Sequence, residues 1–195
     1  GGSREYVKRL VRGHRESIRL NTPVRSIRRF PNHVEIVTER DGREDFDYVF
    51  VACHSDQALR MLADPTNVEV GVLGAISYQD NEALLHTDDA VLPRRRRACV
   101  AWNYFVPEDN RGHGAVSYNM NILQDLDAKR TYVVTLNDDS RIRPDRVLRR
   151  IHYQHPTYTR ETVLAQARHA ELNCDRTFYC GAYWRNGFHE DGVVS

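Results

Sequence analysis

Only two lysines, Lys8 and Lys129, occur in the 195 residues, so nearly all of the 28 basic side chains are arginine. The 27 acidic residues offset them to a formal net charge of +1, and no overall field draws the chain to nucleic acid or to an anionic membrane surface. Cysteine is equally sparse. Cys53, Cys99, Cys174 and Cys180 form no C-x-x-C pair and no zinc-like spacing. Cys53 and Cys99 sit in apolar runs, where a buried free thiol is the ordinary state. No apolar run approaches the roughly 18 residues of a membrane span, and nothing resembles a signal peptide, so a reducing, cytoplasmic setting is the expectation. Repeats and low-complexity tracts are missing. So is a dinucleotide fingerprint: Gly112-His-Gly114-Ala-Val, the nearest approach, lacks the third glycine and the βαβ frame.

The patterns that are present describe an α+β chain. A helix is predicted over 4–12, with Tyr6, Val7, Leu10 and Val11 on one face and Ser3 as cap. Ile18 to Asn21 reads as a short strand. Three extended runs then follow, Val24 to Phe30, Val34 to Glu39 and Phe46 to Cys53, separated by Pro31-Asn32 and Asp41-Gly42 turns. That is an antiparallel meander. Its third run hardly alternates, which predicts burial on both faces. Ser55 caps a helix to about Leu62. Beyond Asp64-Pro65 the texture turns strand-rich, with runs at 72–78, 83–86, 98–105, 115–121 and 131–137, while 147–153 fits helix or strand. Thr159 caps a helix over 160–172, Arg176 to Tyr183 is extended, and a helix starts near Phe188 with acids in its first turn.

Nine histidines invite catalytic readings, and none is compelling. His54-Ser55-Asp56 has the residue types of a triad, but sequence neighbours cannot converge as nucleophile, base and orienter. His152 and His155 could share a metal only in a helix, and His86 reads as part of a polar strand end. The densest basic stretch, Pro93-Arg-Arg-Arg-Arg97 with Arg141, Arg143 and Arg146 further on, could bind phosphate but reads as a solvated loop. No catalytic residue and no metal site emerges.

Six segments, taken together and in order, carry a resemblance. They are Gly1-Gly-Ser-Arg-Glu-Tyr-Val, Leu20-Asn-Thr-Pro-Val-Arg-Ser-Ile27, Phe50-Val-Ala-Cys-His-Ser-Asp-Gln-Ala-Leu59, Leu85-His-Thr-Asp88, Trp102-Asn-Tyr104, and Tyr179-Cys-Gly-Ala-Tyr-Trp184 with Gly187-Phe-His-Glu-Asp-Gly192. The set resembles the second half of the FAD-dependent amine oxidase family, in its bacterial NAD/FAD-binding oxidoreductase branch. The resemblance implies a partial FAD-binding domain, residues 1–64 and 173–195, around a substrate-binding insertion, 65–172. It also implies that the glycine-rich N-terminal half of the cofactor fold is a missing partner, and that this piece alone is inactive.

For particular residues the family implies a backbone contact from Val24 to the adenine edge. It places Gly181 near the flavin phosphates, and the turn formed by Gly187, Phe188, His189 and Glu190 at the flavin's pyrimidine edge. Phe188, with Tyr183 and Trp184, would wall the substrate cage. Read without the family, Val24 is a plain strand residue, and Tyr183 and Trp184 are ordinary packing. Amine oxidases commonly place a lysine beside the flavin, where this sequence has Asn81. Desaturation or isomerisation of a lipid-like small molecule therefore stands beside amine oxidation. A non-enzymatic α+β binding module is the alternative.

Overall fold

The computed structural model describes residues 3–106, 114–173 and 175–195. Cys174, the turn expected at 108–112 and most of the glycine stretch at 112–114 lie outside these residues. In chain order the elements are α1 (Ser3–Leu10), β1 (Val24–Arg29), β2 (Val34–Thr38), β3 (Gly42–Phe46), β4 (Val49–Val51), α2 (Ser55–Met61) and α3 (Asn67–Leu73). There follow β5 (Tyr78–His86), β6 (Trp102–Phe105), β7 (Ala115–Asn119), α4 (Met120–Leu123), β8 (Val133–Leu136), β9 (Val147–Pro156), α5 (Arg160–Gln166), β10 (Thr177–Tyr179) and α6 (His189–Val194). The architecture is α+β, as expected. Three sheets form: an antiparallel β1-β2-β3, a parallel pair β10-β4, and a five-stranded sheet in the order β6-β7-β8-β5-β9.

Two compact units result, residues 16–79 with 156–195, and residues 80–155 with 1–15. These boundaries differ from those read at 64/65 and 172/173. The reason is local. Residues 72–78, expected as a strand, begin inside α3, because Thr66 and Glu69 make a capping box at its start. Val72 and Leu73 then bury in the same apolar cluster as Ile27, Val34, Ala58 and Tyr179, joined by Ala165 and Leu172 from the α5 region.

The apolar run at 46–53 also divides. Its first residue ends β3, where Phe46 pairs with Val34, and only Val49 to Val51 form β4. β4 is not buried on both faces: Val49 and Val51 face the core, whereas Phe50 is 69% exposed and stacks on Phe178 of β10. Ile18 to Asn21 is not a strand, and Asn21 takes a left-handed conformation there. Ser55 is the first residue of α2 rather than its cap, and its N–H donates to the Tyr78 hydroxyl. Thr159 does cap α5, accepting from the Thr162 N–H, but the helix ends at Gln166 and a short 3-10 turn continues to Glu171. The segment at 147–153 is strand, within β9.

A carboxylate is buried in the core of the unit of residues 16–79 and 156–195. Glu69, 3% exposed, accepts from the Arg29 guanidinium, the Thr66 N–H and the Tyr179 hydroxyl, the last at 2.6 Å. A single carboxylate thus ties β1, α3 and β10 together.

Candidate functional site

Two places in the structure are built for chemistry, and each belongs to one unit. The first is the carboxyl end of the parallel pair β4–β10. Open parallel sheets bind ligands outside the carboxyl ends of their strands. Cys53 and Gly181 leave the two strands here, and the Cys180 N–H donates to the Val51 carbonyl at 3.1 Å. A Cβ at Gly181 would collide with the Tyr183 ring, so the chain can pass only as glycine. Tyr183 and Trp184 follow in a short 3-10 turn, each 5% exposed and packed against the other, with Trp184 stacked on His169 at 4.2 Å.

Burial pushes the Cys53 and Cys180 thiols up, and the Tyr183 phenol strongly up, so all three are neutral at physiological pH. Neither thiol is an activated nucleophile. Among the described residues, Tyr183 Oη, Trp184 Nε1 and His54 Nδ1 are buried without a partner. Orphaned polar groups of this kind call for a ligand or water.

At Gly187 the backbone takes φ +88°, its N–H donates to the Ala182 carbonyl, and α6 starts two residues on. The Phe188 N–H is donated to the Asp191 carboxylate at 2.9 Å, closing a turn of the chain on itself. The Gly181 N–H is likewise held by Ser195 Oγ at 2.8 Å. The N–H groups of Phe188 and Gly181 thus have partners within the chain. Phe188 is 63% exposed. Val24 opens β1 opposite Thr38 and is packed partly against the core.

The second place is the five-stranded sheet. Its cross-strand register puts Trp102, Tyr118, Val134 and Leu85 in one row, and Tyr104, Val116, Leu136 and Ala83 in the next row of the same face. All eight are apolar or aromatic. Trp102 and Tyr104 are 59% and 66% exposed. The opposite face is buried yet polar: His86 Nε2, Thr135 Oγ1 and Ser117 Oγ form a hydrogen-bonded row at 2.9 and 2.8 Å, and Asn103 reaches the Ser117 carbonyl. Leu84, Val133 and Ala115 share that buried face, so the polar row lies within an apolar core. The sequence reading assigned no role to the aromatic face, although the alternation Val100-x-Trp102-x-Tyr104-x-Val106 was visible.

His86 is fully buried, and its Nδ1 accepts the Asp88 N–H, which fixes the neutral tautomer with the proton on Nε2. Burial holds its pKa below the ordinary histidine value, against the opposing Asp88 carboxylate. A depressed folded pKa means that this contribution to stability is complete above about pH 6.5 and is lost as pH falls through the lower folded value. The thermal midpoint is expected to slope downward on that acid side, and His86→Gln to flatten the slope. A variant with the wild-type slope would show that another group titrates there.

The fold is similar to part of several flavin-linked enzymes. Cyclohexylamine oxidase from Brevibacterium oxydans superposes with a TM-score of 0.65 at 12% identity over 99% of this chain and 50% of that one. Putrescine oxidase, bound to putrescine, gives 0.63 at 11% over 100% and 50%, and a conjugated-linoleic-acid-producing fatty acid isomerase from P. acnes gives 0.56 at 16% over 89% and 45%. The chain thus spans about half the length of these structures. Residues 1–84 match the flavin containing amine oxidoreductase family. A sequence comparison with curated proteins finds no match.

FAD is the cofactor that the family carries. The residues present fit part of it: a glycine-lined exit from two parallel strands, with orphaned polar groups beside it, suits a ligand rich in phosphate and hydroxyl oxygens.

Proposed function

We propose that the intact protein is a flavin-dependent oxidoreductase acting on an apolar or aromatic small molecule. The observation that carries the substrate class is the open aromatic face of the five-stranded sheet, where Trp102 and Tyr104 stand exposed beside six further apolar side chains. Eight apolar side chains in register give an apolar substrate area to bury and give a small charged one nothing to pair with. When bound, FAD supplies acceptance of a hydride, and the protein supplies position and electrostatics.

Val24 would approach the adenine edge through its backbone, and Gly181 and Gly187 would let the chain pass close to the cofactor. Phe188, His189 and Glu190 would lie at the flavin's pyrimidine edge. Phe188 has ring surface to spare for a substrate, whereas Tyr183 and Trp184, buried in the core, would support that wall from beneath. The rest of the cofactor fold would come from the glycine-rich N-terminal half, without which the 195 residues are inactive. By the family resemblance Asn81, on β5 and accepting from Asn137 at 2.6 Å, would stand where amine oxidases commonly hold a lysine. The reading therefore includes desaturation or isomerisation of a lipid-like molecule beside amine oxidation. No helix among the described residues is long and apolar enough to cross a membrane, and the cytoplasmic setting rests on cysteine usage.

The test is spectroscopic. The intact protein is expected to be yellow, and its visible flavin band to bleach anaerobically with an aromatic or long-chain substrate but not with a short charged diamine. Trp102→Ser is expected to raise KM about tenfold at nearly constant kcat and unchanged flavin content, the mark of lost uniform binding. A colourless protein overturns the flavin reading. Preferential bleaching by the diamine overturns the substrate class.

A further inference from the structure

We infer that the unit of residues 80–155 carries a second binding groove, for a single-chain amphipathic anion such as a long-chain carboxylate. The inference does not depend on the flavin reading. Two adjoining clefts, of about 460 and 830 Å³, meet at Asp89, Ala90 and Thr131, which line both. Volumes in this range suit a small organic ligand.

The two ends differ in chemistry. Lys129, Arg130, Arg143 and Arg146 line the first, whereas the second mixes Leu92, Pro93, Cys99 and Ile122 with the polar side chains of Arg94 and Asn119. Asp88, Asp89 and the adjacent Asp145 oppose these five cations, and Asp145 offsets two of them, Arg143 and Arg146. The Asp88 carboxylate accepts the Ala90 and Arg143 N–H groups, and Asp145 pairs with Arg143 at 2.8 Å. Lys129 and Arg130 have no carboxylate within ion-pair distance among the described residues.

Ile122 on α4 is 51% exposed, an aliphatic side chain left open at the mouth of the apolar end. An uncompensated cationic pair at one end and an open aliphatic wall at the other select a ligand with a charged head and an apolar tail. A bare anion would leave the wall wet, and a neutral alkane would leave Lys129 and Arg130 unpaired. The solvated arginine stretch of the sequence thereby acquires a use: Arg94 stands where the tail begins.

The test is calorimetric titration of the intact protein with dodecanoate below its micelle concentration, with dodecanol, with inorganic phosphate, and with phosphatidylglycerol vesicles. Dodecanoate is expected to bind, and the neutral alcohol and bare phosphate each to bind about tenfold more weakly or less. The charge-reversed pair Lys129→Glu/Arg130→Glu and, separately, Ile122→Asp are each expected to weaken dodecanoate about tenfold while leaving flavin content unchanged. Dodecanoate affinity unaltered in both variants overturns the site. Phosphate binding as tight as dodecanoate overturns the amphipathic reading, and binding to vesicles without binding to dodecanoate replaces it with a membrane surface.

Discussion

Glu69→Ala is expected to destabilise the unit of residues 16–79 and 156–195 by about 2–3 kcal/mol, because the half-buried Arg29 guanidinium then keeps only its Asp64 pairing and two further donors lose their acceptor. Arg29 donates to Glu69 through both terminal nitrogens and is itself only one-fifth exposed at the side chain. Tyr179, fully buried, and the Thr66 N–H lose their acceptor in the same variant. Tyr179→Phe removes one hydrogen bond and leaves the ion pair, so about 1–2 kcal/mol is expected there. The measurement is the urea midpoint at constant slope, and a Glu69→Ala midpoint within error of the Tyr179→Phe midpoint would sink the idea that this carboxylate is the hub. The pH dependence has a definite sign. Burial raises the Glu69 pKa, but the Arg29, Thr66 and Tyr179 bonds outweigh it and hold the group below the ordinary glutamate value. Its contribution is therefore complete above about pH 4.3 and is lost as pH falls through the lower folded value, a window well separated from that of His86.

Gly187→Pro is expected to abolish flavin retention in the intact protein. The position needs φ +88°, which proline cannot adopt, and the N–H that proline lacks is donated to Ala182 at 3.1 Å. Gly187→Val is expected to fall between this variant and wild type, since a Cβ there would lie 2.7 Å from the Tyr158 hydroxyl in an already left-handed conformation. His189→Ala changes no backbone path and is expected to keep most of the flavin. Phe188→Ala is expected to keep it too, while raising KM, because the ring is exposed and not part of the core. Flavin content per chain and steady-state turnover distinguish the four variants. Full flavin in Gly187→Pro, even with a lowered melting point, would make this turn a structural feature only.

Much of this architecture could be read from local pattern. The Pro31-Asn32 and Asp41-Gly42 turns fix two of the meander's strands, and Thr159 marks the start of α5. Where the reading failed, a competing local rule had been outweighed. Asn67-Val-Glu-Val-Gly-Val-Leu73 alternates like a strand, yet the Thr66–Glu69 box starts a helix, and burial of Val72 and Leu73 completes it. β3 is Gly-Arg-Glu-Asp-Phe, too polar to announce itself, and it takes its place because its register with β2 is set by the Gly42 turn. The candidate site divides in the same way. The glycines at 181 and 187 are legible, since only glycine passes there. The internal capture of the Phe188 and Gly181 N–H groups by Asp191 and Ser195 depends on side-chain geometry that no spacing encodes. The polar row within the core of the five-stranded sheet needs register across several strands, which exists only after folding.

The pairing of β4 with β10 has a consequence for biosynthesis. Val49 and Thr177 are partners in the sheet but are separated by 128 positions of chain. At about 5–20 residues per second, a ribosome needs about 6–26 s to supply the second strand after the first has emerged. Throughout that interval β4 offers unpaired edges, with the Phe50 ring lacking its Phe178 neighbour, while residues 80–155 can already close their own sheet. Nascent chains arrested before residue 177 are thus expected to be the aggregation-prone and chaperone-bound species, and chains released after it are not.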